Sequence, residues 1–205
     1  MVTPLKRCSD LIASIVGLIV FGPLMILISI AVLLFDGRPV LFRQERIGKN
    51  GVPFTLFKFR SMQTSTDKNA MKITVDGDSR ITKIGRILRK SKMDELPQLF
   101  NVLFGHMSLV GPRPEVQEYV DKYDDQQRQV LSLKPGVTDP ASIKYFNEED
   151  ILAAADDPSK TYVETVMPDK IRLNLQYAEK ANVIRDFGII LQTIGRVFGI
   201  GANAT

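Results

Sequence analysis

Twenty-five consecutive positions, Leu11 to Phe35, carry no charge, and Asp10 and Asp36 bound the run. As a helix rising about 1.5 Å per residue it reaches roughly 37 Å, enough to cross a bilayer core of about 30 Å. The run is too long for the apolar region of a secretory signal, and no small-x-small cleavage site follows it. Gly22-Pro23 lies near its middle, where proline removes a backbone donor and crowds the preceding turn, so a kink or break is expected. Cations flank both ends: Lys6 and Arg7 before, then Arg38, Arg43 and Arg46 after. A spanning helix leaves one cluster on the translocated side, against the positive-inside tendency. A re-entrant hairpin that enters and leaves by one face satisfies both clusters, with a kinked single span as the other reading.

Beyond the apolar run the pattern shortens. Val40–Gln44 and Phe54–Phe59 read as strands joined through the turn residues Gly48-Lys49-Asn50-Gly51. Residues 63–79 are polar and read as a loop in which Lys68 and Lys72 are solvated charges. Ile81, Ile84, Ile87 and Leu88 recur at helical spacing with Lys83, Arg86, Arg89 and Lys90 on the other faces. Such a helix lies in a membrane interface or packs on a core. Val116–Leu131 and Ile171–Tyr177 read as helices, and a last helix over about Val183 to Phe198 lines up Phe187, Leu191, Ile194 and Phe198. The expected architecture is α+β, mainly α: a re-entrant membrane helix-hairpin over residues 1–36, then an interfacial cytoplasmic domain over 37–205 with amphipathic helices and a small β-hairpin.

Charge sharpens this. Residues 37–113 hold 15 Lys/Arg against 6 Asp/Glu, whereas residues 114–205 hold 10 against 15. The basic half adjoins the apolar run, where anionic headgroups attract it. No nucleic-acid motif or repeated aromatic platform accompanies it, so membrane phospholipid rather than nucleic acid is the expected partner. Cys8 is the only cysteine, which excludes an internal disulfide and suits a reducing compartment.

Within the basic half, Asp94-Glu95 follows Arg80, Lys83, Arg86, Arg89, Lys90 and Lys92, with Lys58 and Arg60 upstream and Arg113 downstream. Carboxylates among so many cations are expected to stay ionised, able to hold a divalent cation or attack phosphorus. Ser91-x-x-Asp94 has the form of a capping box, which puts both carboxylates in a first helical turn, where the dipole favours negative charge. Adjacent helical residues point about 100° apart, so the two acids are expected to do different work.

KFRSM (58–62), RKSKMDELPQLFNVL (89–103), GHMSLVGPRP (105–114) and KPGVT (134–138) together resemble the bacterial sugar transferases, monotopic phosphoglycosyl transferases that start membrane glycan assembly. The resemblance runs from about Leu5 to Thr138 and implies the minimal form of that family. It implies transfer of a phosphosugar from a UDP-sugar to polyprenyl phosphate on the cytoplasmic face of the bacterial inner membrane, with release of UMP. It further implies Asp94 as nucleophile and Mg²⁺ as cofactor, with Asp94 and Glu95 as its ligands. Lys58, Arg60, Arg86, Arg89 and Arg113 are the candidate phosphate contacts, arginine being favoured for its planar fork.

The chain also departs from the family. Where many members continue past KPG-(I/V)-T with glycines and an arginine, it reads DPASIKYFNEEDILAAADD (139–157), leaving Lys144 as the nearest substitute cation. A commonly acidic position appears as Asn174, while Asp186 matches another. His106 reads as a turn residue, and Phe54, Phe57 and Phe59 as core or membrane-facing rather than a uracil stack. A non-catalytic membrane scaffold and a glycosyltransferase releasing UDP are the competing functions.

Overall fold

The computed structural model describes residues 3–63 and 77–200; most of the polar loop, including Lys68 and Lys72, lies outside the described residues. Helix α1 (Pro4–Phe35) starts at Thr3, whose hydroxyl accepts from the Lys6 amide, and runs through Pro23 without separating into two helices. Helical structure thus continues past Pro23: proline forfeits one bond to the preceding turn, and the flanking turns carry the helix on. Its buried positions, Asp10, Ser14, Met25, Ile28 and Val32, repeat at helical spacing, so one face packs on the rest of the chain. The other face exposes Ile12, Val16, Ile19, Val20, Ile26, Leu27, Ile30 and Leu34.

Both ends of α1 are tied to one body. At the start, Lys6 pairs with Asp186, Arg7 donates to the Val102 and Leu103 carbonyls, and Asp10 accepts from the Leu109 amide at 3.2 Å. At the end, Arg60 donates to the carbonyls of Asp36, Gly37 and Arg38, while the Thr82 hydroxyl donates to the Asp36 carboxylate at 2.8 Å.

Strands β1 (Leu41–Ile47) and β2 (Pro53–Phe59) form the antiparallel hairpin, with Leu41 opposite Phe59 and Ile47 opposite Pro53. Its turn places Asn50 at φ 59° and Gly51 at φ 76°, the left-handed conformation these residue types tolerate. Helix α2 (Lys83–Lys90) packs Leu88 with Phe59 and α1's Met25, Ile28 and Val32. Helix α3 (Gln98–Leu103) lies beneath β2, where buried Asn101 accepts from the Phe57 amide and donates to the Thr55 carbonyl.

A second sheet pairs β3 (Ser108–Val110) in parallel with β4 (Gly136–Thr138). Between these strands the expected long helix is instead the short α4 (Gln117–Val120) and a 3₁₀ segment, Gln127–Ser132. Asp124 and Gln127 bond reciprocally between them, a local turn that competes with helix continuation. Helices α5 (Pro140–Lys144), α6 (Glu148–Ala153), α7 (Pro158–Thr161), α8 (Met167–Glu179) and α9 (Val183–Val197) follow, α7 joining α8 through one π turn. Tyr119, Tyr123, Val130, Leu152, Tyr162, Val166 and Ile171 pack there with Ile47 of the hairpin. Phe187, Leu191, Ile194 and Phe198 do share a face of α9, and all four are exposed.

Candidate active site

The DELPQL segment is positioned by what precedes it. Thr82 caps α2, accepting from the Gly85 amide at 2.9 Å, and Gly85 itself lies so near the Ser61 backbone that a Cβ there would stand 1.9 Å from the Ser61 carbonyl oxygen. At its far end α2 stops at Ser91, whose hydroxyl donates back to the Ile87 and Leu88 carbonyls. Ser91 thus ends a helix and forms no capping box with Asp94. Lys92 reverses the chain with φ 55°, and Met93–Glu95 makes one 3₁₀ turn ahead of α3. The two carboxylates therefore sit on one tight turn, without the dipole of a long helix behind them.

Glu95 sits between two cations. Its Oε1 accepts from Lys58 Nζ of β2 at 2.9 Å and from Arg113 Nη2 at 2.7 Å, and its Oε2 receives Arg113 Nη1 at 3.3 Å. Burial alone pushes this carboxyl up, but Arg113 and Lys58 outweigh it and hold Glu95 well below the ordinary carboxylate range. Lys58 is lowered by its own burial against the pull of Glu95, while Glu95 raises Arg113. Asp94 differs: it is 4% exposed, and among the described residues no hydrogen bond reaches its carboxylate. Burial raises its pKa, with Lys58, Arg89 and Lys92 pulling the other way. The expectation that both acids are held ionised by cations thus applies to Glu95, whereas desolvation dominates at Asp94.

GPRP and KPG, far apart in sequence, are one structural unit. Gly111 donates to the Thr138 carbonyl at 3.0 Å and Gly136 to the Pro112 carbonyl at 2.9 Å. A Cβ on Gly136 would stand 2.1 Å from the Gly111 amide, so neither crossing strand admits a side chain there. This crossing directs Arg113 to Glu95, and Asp139 pins it: one carboxylate oxygen accepts from the Arg113 amide at 3.0 Å, the other from Ser142 at 2.6 Å. Asp139 is fully buried and was not among the expected site residues, although Asp-Pro opening a helix is a capping signal. Behind Arg113 a cavity of about 30 Å³, lined by Tyr123, Tyr162, Lys170 and Asn174 among others, has room for water rather than a nucleotide.

The fold therefore brings together Lys58, Asp94, Glu95 and Arg113, with Arg89 acting on Asp94 electrostatically from the last turn of α2. Arg86 sits exposed on the same helix. Two expected contacts are elsewhere. Arg60 is spent on the carbonyls that end α1, and Asp186 accepts from Lys6 and from the Tyr177 hydroxyl, joining α9 to α1 and α8. Lys144 pairs with Asp169 rather than reaching the site. Exposed His106 stacks on Phe54, its ring centre 5.9 Å away.

Cations converge here on two unlike carboxylates, and known proteins similar to this chain share its sequence across this region. A UDP-N-acetylgalactosamine-undecaprenyl-phosphate N-acetylgalactosaminephosphotransferase of Aeromonas hydrophila is 34% identical over 97% of this chain and 45% of its own length. A UDP-glucose:undecaprenyl-phosphate glucose-1-phosphate transferase of Xanthomonas campestris pv. campestris is 36% identical over 95% of this chain and 39% of its own. The exopolysaccharide production protein PSS of Rhizobium leguminosarum bv. phaseoli is 35% identical over 93% of both chains. The chain spans less than half the length of the first two relatives. The family described as "Bacterial sugar transferase" matches residues 1–199, covering α1, the DELPQL turn and the GPRP–KPG crossing alike, and the chain belongs to that family.

Proposed function

We propose that this chain transfers a phosphosugar from a UDP-sugar to polyprenyl phosphate, releasing UMP, by way of an aspartyl phosphosugar on Asp94. The carrying observation is the contrast between the two acids: Glu95 held by Lys58 and Arg113, Asp94 buried without a hydrogen bond among the described residues. A desolvated carboxylate of raised pKa is the better nucleophile, since basicity and nucleophilicity rise together. Asp94 attacks the sugar-linked phosphorus, and the bond from that phosphorus to the bridging oxygen breaks, so UMP departs with the oxygen. A polyprenyl phosphate oxygen then attacks the same phosphorus, and the Asp94 carboxylate is regenerated. Cations must first neutralise the diphosphate, because an anion attacking an anion is otherwise repelled.

Magnesium fits the donor set. The described residues hold no cluster of three acidic or thiol/imidazole ligands, yet Mg²⁺ needs only one or two carboxylates when substrate phosphates complete its shell. Asp94 offers free lone pairs, and Glu95 Oε2, which receives a single 3.3 Å contact, keeps one. Bound there, the ion supplies Lewis-acid stabilisation of phosphate charge.

The membrane arrangement we favour is re-entrant. Support comes from both ends of α1 being bonded to one domain, and from the cations at both flanks. The apolar outer faces of α1 and α9, with Phe100 and Phe104 of α3, suit lipid contact at the cytoplasmic surface of the inner membrane. The test is to incubate purified protein with Mg²⁺ and a panel of UDP-sugars, then seek a phosphosugar adduct on the DELPQL peptide by mass spectrometry. An adduct on Asp94 and UMP in solution are expected. UDP in place of UMP points to sugar-only transfer, and neither signal, even with polyprenyl phosphate supplied, points to a non-catalytic scaffold.

A further inference from the structure

Arg89 is the site cation whose hydrogen bonding is incomplete. Its Nη2 donates to Glu149 and its Nη1 lies 3.8 Å from the Met62 sulfur, while its Nε is buried with no partner among the described residues. The Nε and Nη2 hydrogens of a guanidinium point to the same side and together fit two oxygens of a carboxylate or phosphate. Glu149 fills only the Nη2 half of that edge.

The neighbouring pairs differ in how readily they yield. Glu95 holds Lys58 and Arg113 with a side chain only 12% exposed, where removing either partner leaves a buried charge. Glu149 is 37% exposed, and ion pairs at that depth are worth little net because water competes for both partners. Its helix, α6, is anchored independently: Glu148 pairs with Lys170 at 2.7 Å and Leu152 is buried. The Glu149 side chain is therefore free to swing away while the backbone stays. Just before α6, the Phe146 ring lies 5.2 Å from Lys92 Nζ, so a second cation beside Asp94 is also held only loosely.

Resting on the reaction proposed above, we infer that Glu149 is a displaceable stand-in for a substrate phosphate: it keeps Arg89 beside Asp94 in the empty enzyme and gives up the Nε–Nη2 edge to the diphosphate of the UDP-sugar. This assigns a role to the acidic stretch that replaces the family's usual glycines and arginine, and makes Glu149 a positioning residue that acts through Arg89. The inference carries an unusual sign, since loss of an ion pair at the site should improve substrate binding.

The test uses the full chain in lipid nanodiscs, with UDP binding by calorimetry and UMP release from the UDP-sugar that wild type turns over. Glu149→Gln should tighten UDP binding and lower KM by about two- to fivefold, the range set by the small net strength of half-exposed ion pairs, without raising kcat. Asp150→Asn, which removes the same charge from the exposed next position, should produce no comparable change. In an Arg89→Ala background, Glu149→Gln should have no effect. Unchanged or weakened UDP binding in Glu149→Gln makes Glu149 a structural clamp and overturns the inference, as does an equal gain from Asp150→Asn. Wild type that releases UMP while Glu149→Gln behaves identically sinks this inference alone; wild type that neither binds UDP nor releases UMP removes the proposed reaction as well.

Discussion

Replacing Glu95 by glutamine should destabilise the fold, whereas replacing its neighbour Asp94 by asparagine should not. Glu95→Gln keeps the side chain's volume but removes the charge that balances Lys58 and Arg113. Each charge-assisted hydrogen bond contributes about 1.5–3 kcal/mol, and breaking a buried ion pair from one side costs about 3–5 kcal/mol. The substituted amide retains one acceptor, and Arg113 is partly open to water, so the loss settles near about 3 kcal/mol. For a chain of this size that corresponds to a fall in melting temperature of about 6–12 °C. Asp94→Asn removes a charge that burial already disfavours and that, among the described residues, accepts no hydrogen bond, so its melting temperature should hold or rise while phosphosugar capture disappears. Both variants are read by thermal unfolding in one detergent at neutral pH, beside the adduct assay. Equal melting temperatures for Glu95→Gln and wild type, or a comparable fall for Asp94→Asn, would refute the assignment of holding to Glu95 and attack to Asp94.

Arg60→Ala should lower the melting temperature by about 6–12 °C, because three carbonyls at the end of α1 lose a charged donor, while the enzyme that remains folded keeps most of its kcat. Gly85→Ala drives a Cβ into the Ser61 backbone, so α2 must shift and carry Arg89 with it; turnover should fall by about a hundredfold even in folded material, measured as UMP release. Asp169 has its pKa lowered to about 2 by hydrogen bonds from Lys144, then Arg172 and Tyr145. That contribution is complete above the unfolded carboxyl range and is lost as pH falls toward about 2. Since Lys144 and Arg172 are more than half exposed, it amounts to about 1 kcal/mol. Asp169→Asn should therefore melt about 2–4 °C lower at neutral pH, with the gap roughly halved near about pH 3, followed by circular dichroism.

Local chemistry accounts for what was legible beforehand. The hairpin showed itself because two short strand-like runs flank a Gly-Lys-Asn-Gly turn, and α9 because its apolar positions keep a helical period. The acid pair that holds the proposed nucleophile was visible as adjacent carboxylates in a basic segment. Ser91 misled because a serine three residues before an acid is equally consistent with closing the preceding helix, and the left-handed turn at Lys92 decided between the two. Asp139 and Asn101 were missed because each serves backbone groups distant in sequence, a role with no local periodicity.

By itself the sequence determined which segment is apolar enough for a membrane, where the β-hairpin turn falls, and that DELPQL, GPRP and KPG mark the family. Tertiary structure decided how the charges are divided. Lys58, Arg60 and Arg113 are interchangeable as formal charges, yet Arg60 closes α1 while the other two hold Glu95. Positions two apart along an extended strand point to the same side, yet Lys58 and Arg60 find different partners, because which carbonyls or carboxylates await them depends on chain crossings many residues away. Two carboxylates one position apart likewise differ in pKa direction only through burial and neighbouring cations, both of which exist once the Gly111–Gly136 crossing has brought Arg113 to Glu95.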